Sequence, residues 1–384
     1  MSNINASAGV DYAKIIGFKR AMCRVAEMTR ALPKNIAVLQ TVNGHAGAYH
    51  YTGQHSHFWV TTHEGLGNKA WISMMLNRLG IKDPTGEYWF GGIGIDTFLM
   101  GANDNAAQGG RPVIVTDEVS CGSDEFFETP QPTALSKSFE QACLMGKCAL
   151  VHGESPAYKY LMKAEPPVEY APSLSVNVVG IVEPTVNFIS GGHVRRHDII
   201  IGTRASGLHA NGISPVIKAV MALPNGFETE CNGRTIGEEA LIPTRSYLGF
   251  VNALLLAGID IHAFLPMTGG GIAKFAADTR YHYKIDNWVP YDEMPALFRF
   301  MRQVCGLSIM DIIQTFNCGI GYAVIVPPCE VDKVLSVGSK TPIDGAEGLY
   351  NPIVLGTVVG TVKKIKARVD FSSWNMRLSL PPPG

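Results

Sequence analysis

The chain has 384 residues, of which 46% are hydrophobic and 17% charged, and its formal net charge at pH 7 is −1. This length is sufficient for two domains with separate cores, and the near-neutral charge argues against a general nucleic-acid-binding or acidic-membrane surface. No apolar run is long enough to span a bilayer, and the N-terminal residues lack the charged-then-apolar pattern of an export signal. The eight cysteines form no CxxC pair, so we expect reduced thiols, no zinc site and a cytoplasmic location.

The first half of the chain alternates predicted strands and helices. Helices are predicted at 15–32, 70–79 and 136–145, strands at 58–62, 113–116 and 149–151, and a loop rich in glycine and histidine at 44–53. A further apolar segment at 91–101 carries Asp96 and ends at Asn103 and Asp104. Predicted strands and helices thus follow one another along this half of the chain.

Four carboxylates of this half share one setting, because each is predicted to end an apolar strand. They are Glu64, Asp96, Asp117 and Glu154. A single carboxylate at a strand end is usually a turn or cap residue, and that alternative stays open. If the strands are neighbours, the four side chains would meet at one edge of a sheet. Carboxylate oxygens at such an edge hold Mg²⁺ and, through it, phosphates.

Proline-rich residues 166–172 predict a linker between an N-terminal domain, 1–170, and a C-terminal domain, 171–370. The remainder, 371–384, is expected to be a tail that is disordered from Leu378 onwards. Within the second domain, strands are predicted at 175–182 and 322–326, and a helix is predicted to end at Leu256. Gly269, Gly270 and Gly271 precede another predicted helix start and indicate an anion-binding cradle.

The stretch from Asp198 to Gly212 predicts a second anion site. A short strand at 199–201 leads into a loop of small residues that contains His209 and Asn211, and a helix follows with Ser214 as its expected N-cap. Unpaired backbone N–H groups and the helix dipole together favour negative charge at such a place. The alternative is a tight turn with a structural histidine.

Several common motifs are missing. The sequence has no Walker A P-loop, no GxGxxG opening a helix after a strand and no GxSxG nucleophile elbow.

Five histidines lie close together in the sequence, at His45, His50, His55, His57 and His63. Their spacing is compatible with a metal site, but no Cys or Glu completes a zinc pattern, so hydrogen bonds to loop backbone or to a ligand are the alternative.

Eight motifs, in order along nearly the whole chain, make it resemble the aminoimidazole ribonucleotide synthetases, also called phosphoribosylformylglycinamidine cyclo-ligases. They are A-G-V-D at 8–11, E-G-L-G-N-K at 64–69, G-I-D-T-F-L-M-G-A-N-D at 94–104, G-E-S at 153–155, A-S-G-L-H-A-N-G at 205–212, P-T-R-S-Y at 243–247, T-G-G-G at 268–271 and T-F-N-C-G-I-G at 315–321. The resemblance implies a two-domain α/β (α+β) subunit. In such enzymes the N-terminal strands of two subunits form a β-barrel flanked by helices, and ATP binds near that interface.

The resemblance also implies an activity and a set of site residues. The reaction would be ATP-dependent closure of formylglycinamidine ribonucleotide to aminoimidazole ribonucleotide, in purine biosynthesis, by a cytoplasmic homodimer. Asp96, Glu154 and His209 would be catalytic, and Glu64, Asp96 and Asp104 would bind Mg²⁺. ATP and the substrate phosphate would be held by Glu64, Gly65, Lys69, Asp96, Asn103, Asp104, Asn211, Gly269, Gly270 and Gly271.

The chain departs from the family pattern mainly on the substrate side. Glu64 stands where the family has aspartate, His152 replaces a glycine and Pro266 a histidine, and Lys274-Phe275 replaces Glu-Asn. Two other functions therefore stay open: the same ATP chemistry on a different small substrate, or a non-catalytic paralogue that binds a nucleotide.

Overall fold

The N-terminal half is built on a six-stranded sheet of order β1-β2-β3-β6-β4-β5. The computed structural model describes residues 36–39, 47–183, 188–277, 280–361 and 367–381. The six strands are β1 Ile36–Leu39, β2 Gly47–Tyr51, β3 His57–Gly65, β4 Gly110–Ser120, β5 Ala149–Glu154 and β6 Ser173–Val182. Neighbouring strands are antiparallel except β4 and β5, so β5 is an edge strand beside a parallel neighbour.

The C-terminal half is built on a seven-stranded sheet of order β10-β12-β7-β13-β11-β14-β15. Its strands are β7 Ile199–Arg204, β10 Ala263–Pro266, β11 Tyr281–Ile285, β12 Ile320–Val326, β13 Ile353–Thr361, β14 Arg368–Ser373 and β15 Met376–Leu380. A separate hairpin pairs β8 Glu230–Cys231 with β9 Arg234–Thr235. Strand β12 is buried along its whole length, because it lies between β10 and β7.

The α-helices lie between these strands in the sequence. They are α1 Lys69–Arg78, α2 Ile93–Ala106, α3 Glu125–Glu128, α4 Gln131–Gly146, α5 Ile213–Met221, α6 Ile236–Ala240, α7 Leu248–Leu256, α8 Ala296–Gln303, α9 Ile309–Thr315 and α10 Val331–Gly338. Short 3₁₀ turns occupy Gly226–Glu228, Gly271–Ala277, Tyr291–Glu293 and Pro328–Glu330. Helix α2 is central, since it packs on β3, β4 and β6 on one side and contacts α4, α7 and β10 on others.

Only one face of the N-terminal sheet is covered by these helices. Val176 and Val178 on β6 point towards α2, where a Cβ on Gly101 would clash with Val178. On the opposite face, Trp59, Asn177 and Ile181 are half-buried. This second face is therefore a broad, partly apolar surface within the described part of the chain.

Several expectations about elements are corrected. Asp96 lies within helix α2 and not at the end of a strand, and residues 47–51 of the expected loop form β2. Strand β6 follows the predicted domain boundary at residue 170, and its hydrogen bonds to β3 and β4 make it part of the N-terminal sheet. The expected disordered tail contains most of β15, which pairs with β14. The α/β class, helix α1 and the strand beginning at Ile199 are as predicted.

Some predicted features fall outside the described residues, namely helix 15–32, the A-G-V-D motif at 8–11 and His45. In the described part of the chain, no helix has the length and apolar character needed to cross a membrane.

Candidate active site

Helix α2 connects the two halves through side chains on one of its faces. Asp96 and Asn103 are about two helical turns apart, so they point in similar directions. The Oδ1 atom of Asp96 accepts hydrogen bonds from the Thr244 backbone N–H (2.8 Å) and the Thr244 hydroxyl (2.6 Å). Asn103 accepts from the backbone N–H of Tyr247 (3.0 Å) and donates to the carbonyl of Arg245 (3.2 Å). The P-T-R-S-Y motif is thus a loop held against α2.

Lys69, the first residue of α1, is the second connection. Its side chain is fully buried, and its ammonium lies 2.8 Å from Asp96 Oδ2. It also donates to the backbone carbonyls of His209 (2.9 Å) and Ile242 (3.0 Å). All three donors of the ammonium are therefore used within the protein. Burial lowers the pKa of Lys69 and raises that of Asp96, while the attraction between the two charges opposes both shifts.

These contacts involve three of the residues predicted to bind ligands. Both oxygens of Asp96 face protein donors, so a metal at Asp96 would share the carboxylate with Lys69 and Thr244. The Lys69 ammonium is held by Asp96 and two backbone carbonyls, so contact with a phosphate would require it to give up one of these partners. Asn103 uses both ends of its amide to hold the 245–247 backbone. All three residues position the two halves of the site.

His209 is also structural in its surroundings. It is 7% exposed, has a left-handed backbone with φ of 63°, and its Nε2 accepts a hydrogen bond from the Ser206 N–H (3.3 Å). Burial, with the nearby charges of Lys69 and Arg245, lowers the pKa of His209 to about 3. A Cβ on Gly321 would lie 2.7 Å from the His209 ring, so glycine is required there. With this pKa the ring is neutral at physiological pH.

A different group of charges has the properties of a functional site. Asp104, at the end of α2, is 8% exposed, and its Oδ1 atom is buried with no hydrogen-bond partner among the described residues. Burial raises the pKa of Asp104 to about 7, the charge of Lys274 opposes that shift, and Glu64 adds to it. Lys274 donates a hydrogen bond to the hydroxyl of Thr268. Burial lowers the pKa of Lys274, against the influence of Asp104 and Glu64.

This Glu64–Asp104–Lys274 cluster joins the two halves of the chain. Glu64 is half-buried near the end of β3, where it points to the same face of the sheet as Val176 and hence towards α2. Lys274 comes from the 3₁₀ turn after the glycine loop. With both carboxylates ionised and the lysine protonated, the cluster carries one net negative charge. An orphaned buried carboxylate oxygen beside a second carboxylate suits a divalent cation.

The three glycines before Lys274 have different environments. A Cβ on Gly269 would touch only Asn211 Nδ2, at 3.8 Å, so this glycine lies in open space beside Asn211. Gly270 has a φ of 98°, which glycine adopts at low cost. A Cβ on Gly271 would lie 2.1 Å from the Ile313 carbonyl oxygen. Gly269 and Gly270 thus fit a ligand cradle, whereas Gly271 is required for packing.

A cleft of about 870 Å³ begins just after Glu64, at Gly67. The N-termini of α1 and α5 meet there, and Asn68 Nδ2 donates to the Ser214 hydroxyl (2.8 Å) across the two halves. The N-cap of α5 is Gly212, with a φ of 78°, and not Ser214 as we expected. Two helix N-termini with Lys163 and Lys218 in the lining favour a negatively charged ligand. The first turn of α5, near which an anion site is predicted, thus lines this cleft.

Within a single chain, Glu154 lies apart from the Glu64–Asp104–Lys274 cluster. It is exposed at the end of edge strand β5, directly across from Glu118. Two strands, β4 and β6, separate β5 from β3, so Glu154 lies about 14 Å from Gly65. It also points to the uncovered face, whereas Glu64 faces α2. The expectation that the strand-end carboxylates meet at one point is corrected: Asp117 shares the row of Glu64, but Asp96 and Glu154 do not.

Within the histidine-rich segment, His50 and His57 make local contacts. His57 pairs with the backbone carbonyl of His55 (2.7 Å) and accepts from the Trp59 indole N–H, while His50 contacts Ser56 and stacks on Phe58. Among the described residues, no group of three or more His, Cys, Asp or Glu side chains is arranged to hold a metal. A metal here would need ligand oxygens in addition to the two carboxylates.

Sequence reasoning missed Lys274, Thr244 and Tyr247 as members of the site. In the sequence, Lys274 stands out only as a departure from the family pattern. Thr244 and Tyr247 belong to the P-T-R-S-Y motif, which the sequence marks without indicating a role. The available signal was a lysine and an aspartate inside apolar segments of the motifs, because such residues are almost never fully buried unless they are paired.

Comparisons with known proteins agree with the motifs. The family model for the C-terminal domain of AIR synthase related proteins matches residues 195–360. The phosphoribosylformylglycinamidine cyclo-ligase of Carboxydothermus hydrogenoformans is 30% identical over 346 residues, covering 87% of this chain and 90% of that protein. The corresponding protein of Shouchella clausii is 29% identical over 372 residues, covering 90% of this chain and 98% of that protein.

Solved structures give the fold. The HypE–HypF complex contains a chain that aligns with a TM-score of 0.54 at 16% identity, covering 85% of this chain and 90% of that one. The protein AaThiL complexed with AMPPCP and TMP aligns with a TM-score of 0.53 at 13% identity, covering 92% and 95%. At these identities the likeness concerns the fold alone.

Proposed function

Because the chain belongs to the phosphoribosylformylglycinamidine cyclo-ligase family, we propose that it closes formylglycinamidine ribonucleotide to aminoimidazole ribonucleotide at the expense of ATP. The observation that carries this proposal is 30% identity to a protein of that name over nine tenths of its length. ATP would transfer its terminal phosphoryl group to the formyl oxygen, and an amidine nitrogen would then close the ring and displace phosphate. The products are aminoimidazole ribonucleotide, ADP and phosphate.

The residues present fit Mg²⁺ together with a triphosphate. Mg²⁺ in nucleotide sites is commonly held by one or two carboxylates plus phosphate oxygens and water. Glu64 and Asp104 would provide the two carboxylates, and the orphaned Oδ1 of Asp104 supports this choice. Bound there, the ion would offset the charge of the phosphates. Lys274 would add positive charge beside them, and its hydrogen bond to Thr268 fixes it next to the glycine loop.

The phosphate groups of the ligands have two places to bind. Gly269 and Gly270, beside Asn211, would bring the backbone close to one phosphate. The cleft at the N-termini of α1 and α5 would hold another. Asp96, Lys69, Asn103 and His209 would act indirectly, by holding α2, the loop 205–212 and the loop 243–247 in register. Such positioning lowers the entropic part of the barrier.

We also propose a homodimer in which the uncovered sheet faces meet, acting in the cytoplasm. Half-buried Trp59, Val179 and Ile181 give this face an apolar character that is unusual for a solvent-exposed sheet. Glu154, which points to the same face, would then approach the site of the partner subunit. The free thiols of the described cysteines are consistent with a reducing compartment.

A direct assay tests the activity. Purified protein is incubated with ATP and Mg²⁺, and ADP release is measured with and without formylglycinamidine ribonucleotide. We expect ADP release that depends on this substrate, with one aminoimidazole ribonucleotide formed per ADP. ADP release without ring closure, or closure without ADP, would contradict the proposal.

A second candidate function is the same ATP chemistry on another small substrate. The presence of Lys274 where the family has a carboxylate favours it, because this residue lies in the proposed phosphate site. Release of ADP that is stimulated by a different amide or amino acceptor, and not by formylglycinamidine ribonucleotide, would identify this case. If no nucleotide raises the melting temperature, both of these ATP-dependent functions are contradicted.

A further inference from the structure

Helix α4 ends in a turn that places two cysteine side chains against each other. Lys147 has a left-handed backbone with φ of 50°, and its N–H donates to the Leu144 carbonyl (3.3 Å). The N–H of Cys148 donates to the Cys143 carbonyl (3.1 Å). This pair of bonds defines a Schellman motif, in which the side chains of the residues in the positions of Cys143 and Cys148 normally form an apolar contact. Here both positions are cysteine.

The geometry of this turn is compatible with a covalent bond between the two sulfurs. The hydrogen bond between the backbones of Cys143 and Cys148 keeps their Cα atoms within about 7 Å, close to the upper limit for a disulfide. The two thiols are already in hydrogen-bonding contact. Cys148 Sγ folds back over the turn, since it lies 3.4 Å from where a Cβ on Gly146 would be.

The two thiols have unequal character. The hydrogen bond from Cys148 lowers the pKa of Cys143 to about 7, assisted by the N–H of Leu150 and opposed by burial and Asp117. The same hydrogen bond, with burial, raises the pKa of Cys148. Cys143 therefore has the properties of an attacking thiolate and Cys148 those of a neighbouring thiol that acts second.

A cavity gives small molecules access to the pair. Both cysteines line a space of about 660 Å³ between α3, α4 and strands β4 and β5. Its other walls are mainly apolar, and it lies beneath the edge strand β5. The lining residues include Phe126, Phe127, Leu135, Phe139 and Leu150. Neither cysteine takes part in the site proposed for ATP, so the pair is available for a separate role.

The geometry points to Cys143 and Cys148 as a reversible dithiol–disulfide couple that reacts with low-molecular-weight disulfides. The Cys143 thiolate attacks one sulfur of the reagent, forms a mixed disulfide and releases the first thiolate. Cys148 then gives its proton to solvent, attacks the Cys143 sulfur and releases the second thiolate. The dithiol is oxidised by two electrons, and the small disulfide is reduced to two thiols.

The experiment uses the full chain with oxidised glutathione and peptide mapping without reduction. Trypsin cleaves after Lys147, so a disulfide between the two cysteines joins the peptides 138–147 and 148–159 into one species. We expect the wild-type protein to give this joined species and no glutathione adduct on either peptide. Cys148→Ser, which keeps a hydroxyl donor for Cys143, should instead accumulate one glutathione on peptide 138–147. Cys143→Ser should give no joined species.

Exposed Cys329 provides the matched control. A Cys329→Ser variant should form the joined species as the wild type does. In Cys148→Ser, Cys143 should react about three times faster at pH 7 than an ordinary cysteine thiol, because its larger thiolate fraction outweighs its lower nucleophilicity. The proposal would be overturned if peptides 138–147 and 148–159 of the wild type remained separate under conditions that fully modify Cys329. It would also be overturned if the wild type retained glutathione on Cys143.

Discussion

The buried pair of Lys69 and Asp96 allows a prediction with a worked magnitude. In Asp96→Asn the amide still accepts from Thr244, but Lys69 loses its counter-charge while remaining fully buried. The least costly way to avoid an unpaired buried charge is deprotonation of Lys69, whose ordinary pKa is 10.5. Deprotonation of Lys69 at pH 7 costs 3.5 pKa units, or about 5 kcal/mol, and at pH 9 it costs about 2 kcal/mol. The value at pH 7 agrees with the usual penalty for breaking a buried ion pair, which is about 3–5 kcal/mol.

The two single variants should respond to pH in opposite directions. In Asp96→Asn the folded protein binds fewer protons than the unfolded chain, because the pKa of Lys69 falls, so stability rises as pH increases towards 10.5. In Lys69→Met the lone Asp96 carboxyl has a raised folded pKa against an ordinary 3.8, so its cost is about 4 kcal/mol at pH 7 and shrinks as pH decreases. The double variant Lys69→Met/Asp96→Asn leaves no buried charge and should be more stable at pH 7 than Asp96→Asn.

Urea unfolding of the four proteins, followed by tryptophan fluorescence between pH 5 and pH 9, measures these differences. Each variant is compared with the wild type at the same pH, so that other titrating groups cancel. Slopes of the same sign for the two single variants would refute the assignment of Lys69 and Asp96 as a mutually dependent buried pair. Losses below about 1 kcal/mol in both would do the same, because they fall in the range of exposed pairs.

Three further predictions concern the proposed site and the sheet face. Asp104→Asn should abolish the dependence of ADP release on Mg²⁺ concentration. The same variant should have a free energy of unfolding up to about 4 kcal/mol higher than the wild type at pH 8, because the buried Asp104 carboxyl has a pKa of about 7 against 3.8 in the unfolded chain and costs stability as pH rises between these values. This gain should vanish below pH 4. Gly269→Ala should fold normally and lower affinity for ATP in calorimetry, whereas Gly271→Ala should lower the melting temperature, because its Cβ meets a carbonyl oxygen at 2.1 Å; equal melting temperatures would contradict this contrast. Sedimentation should show a dimer at micromolar concentration that Ile181→Arg converts to monomer, and a monomeric wild type would refute the shared sheet face.

The sequence predicts the α/β class and the positions of six of the fifteen described strands, and it fails at α2 for a physical reason. Twelve of the fourteen residues of α2 are buried, so its sequence I-G-I-D-T-F-L-M-G-A-N-D-N-A shows no polar face from which a helical period could be recognised. Two of its glycines allow close packing: a Cβ on Gly94 would lie 2.7 Å from the Phe139 backbone nitrogen, and one on Gly101 would meet Val178. A helix buried on all sides and a buried strand have the same apolar pattern.

The candidate site shows the same limit at the level of single side chains. The motifs correctly mark Glu64, Asp96, Asp104 and Lys69 as unusual, because charged residues inside apolar segments require partners. Which charge pairs with which depends on contacts between segments that lie far apart in the chain, such as Asp96 with Thr244. Resemblance to a family cannot separate a ligand-binding carboxylate from one that holds the architecture.

The distinction between these two kinds of carboxylate follows from how each is satisfied. Asp96 has a lysine and two hydrogen-bond donors around it, so its charge is balanced before any ligand arrives. Asp104 is almost as deeply buried but keeps one oxygen without a partner, and only the more distant Lys274 offsets its charge. A buried carboxylate left in that state costs folding free energy. A bound cation would recover that cost, and for this reason we propose Asp104, and not Asp96, as the ligand-binding carboxylate.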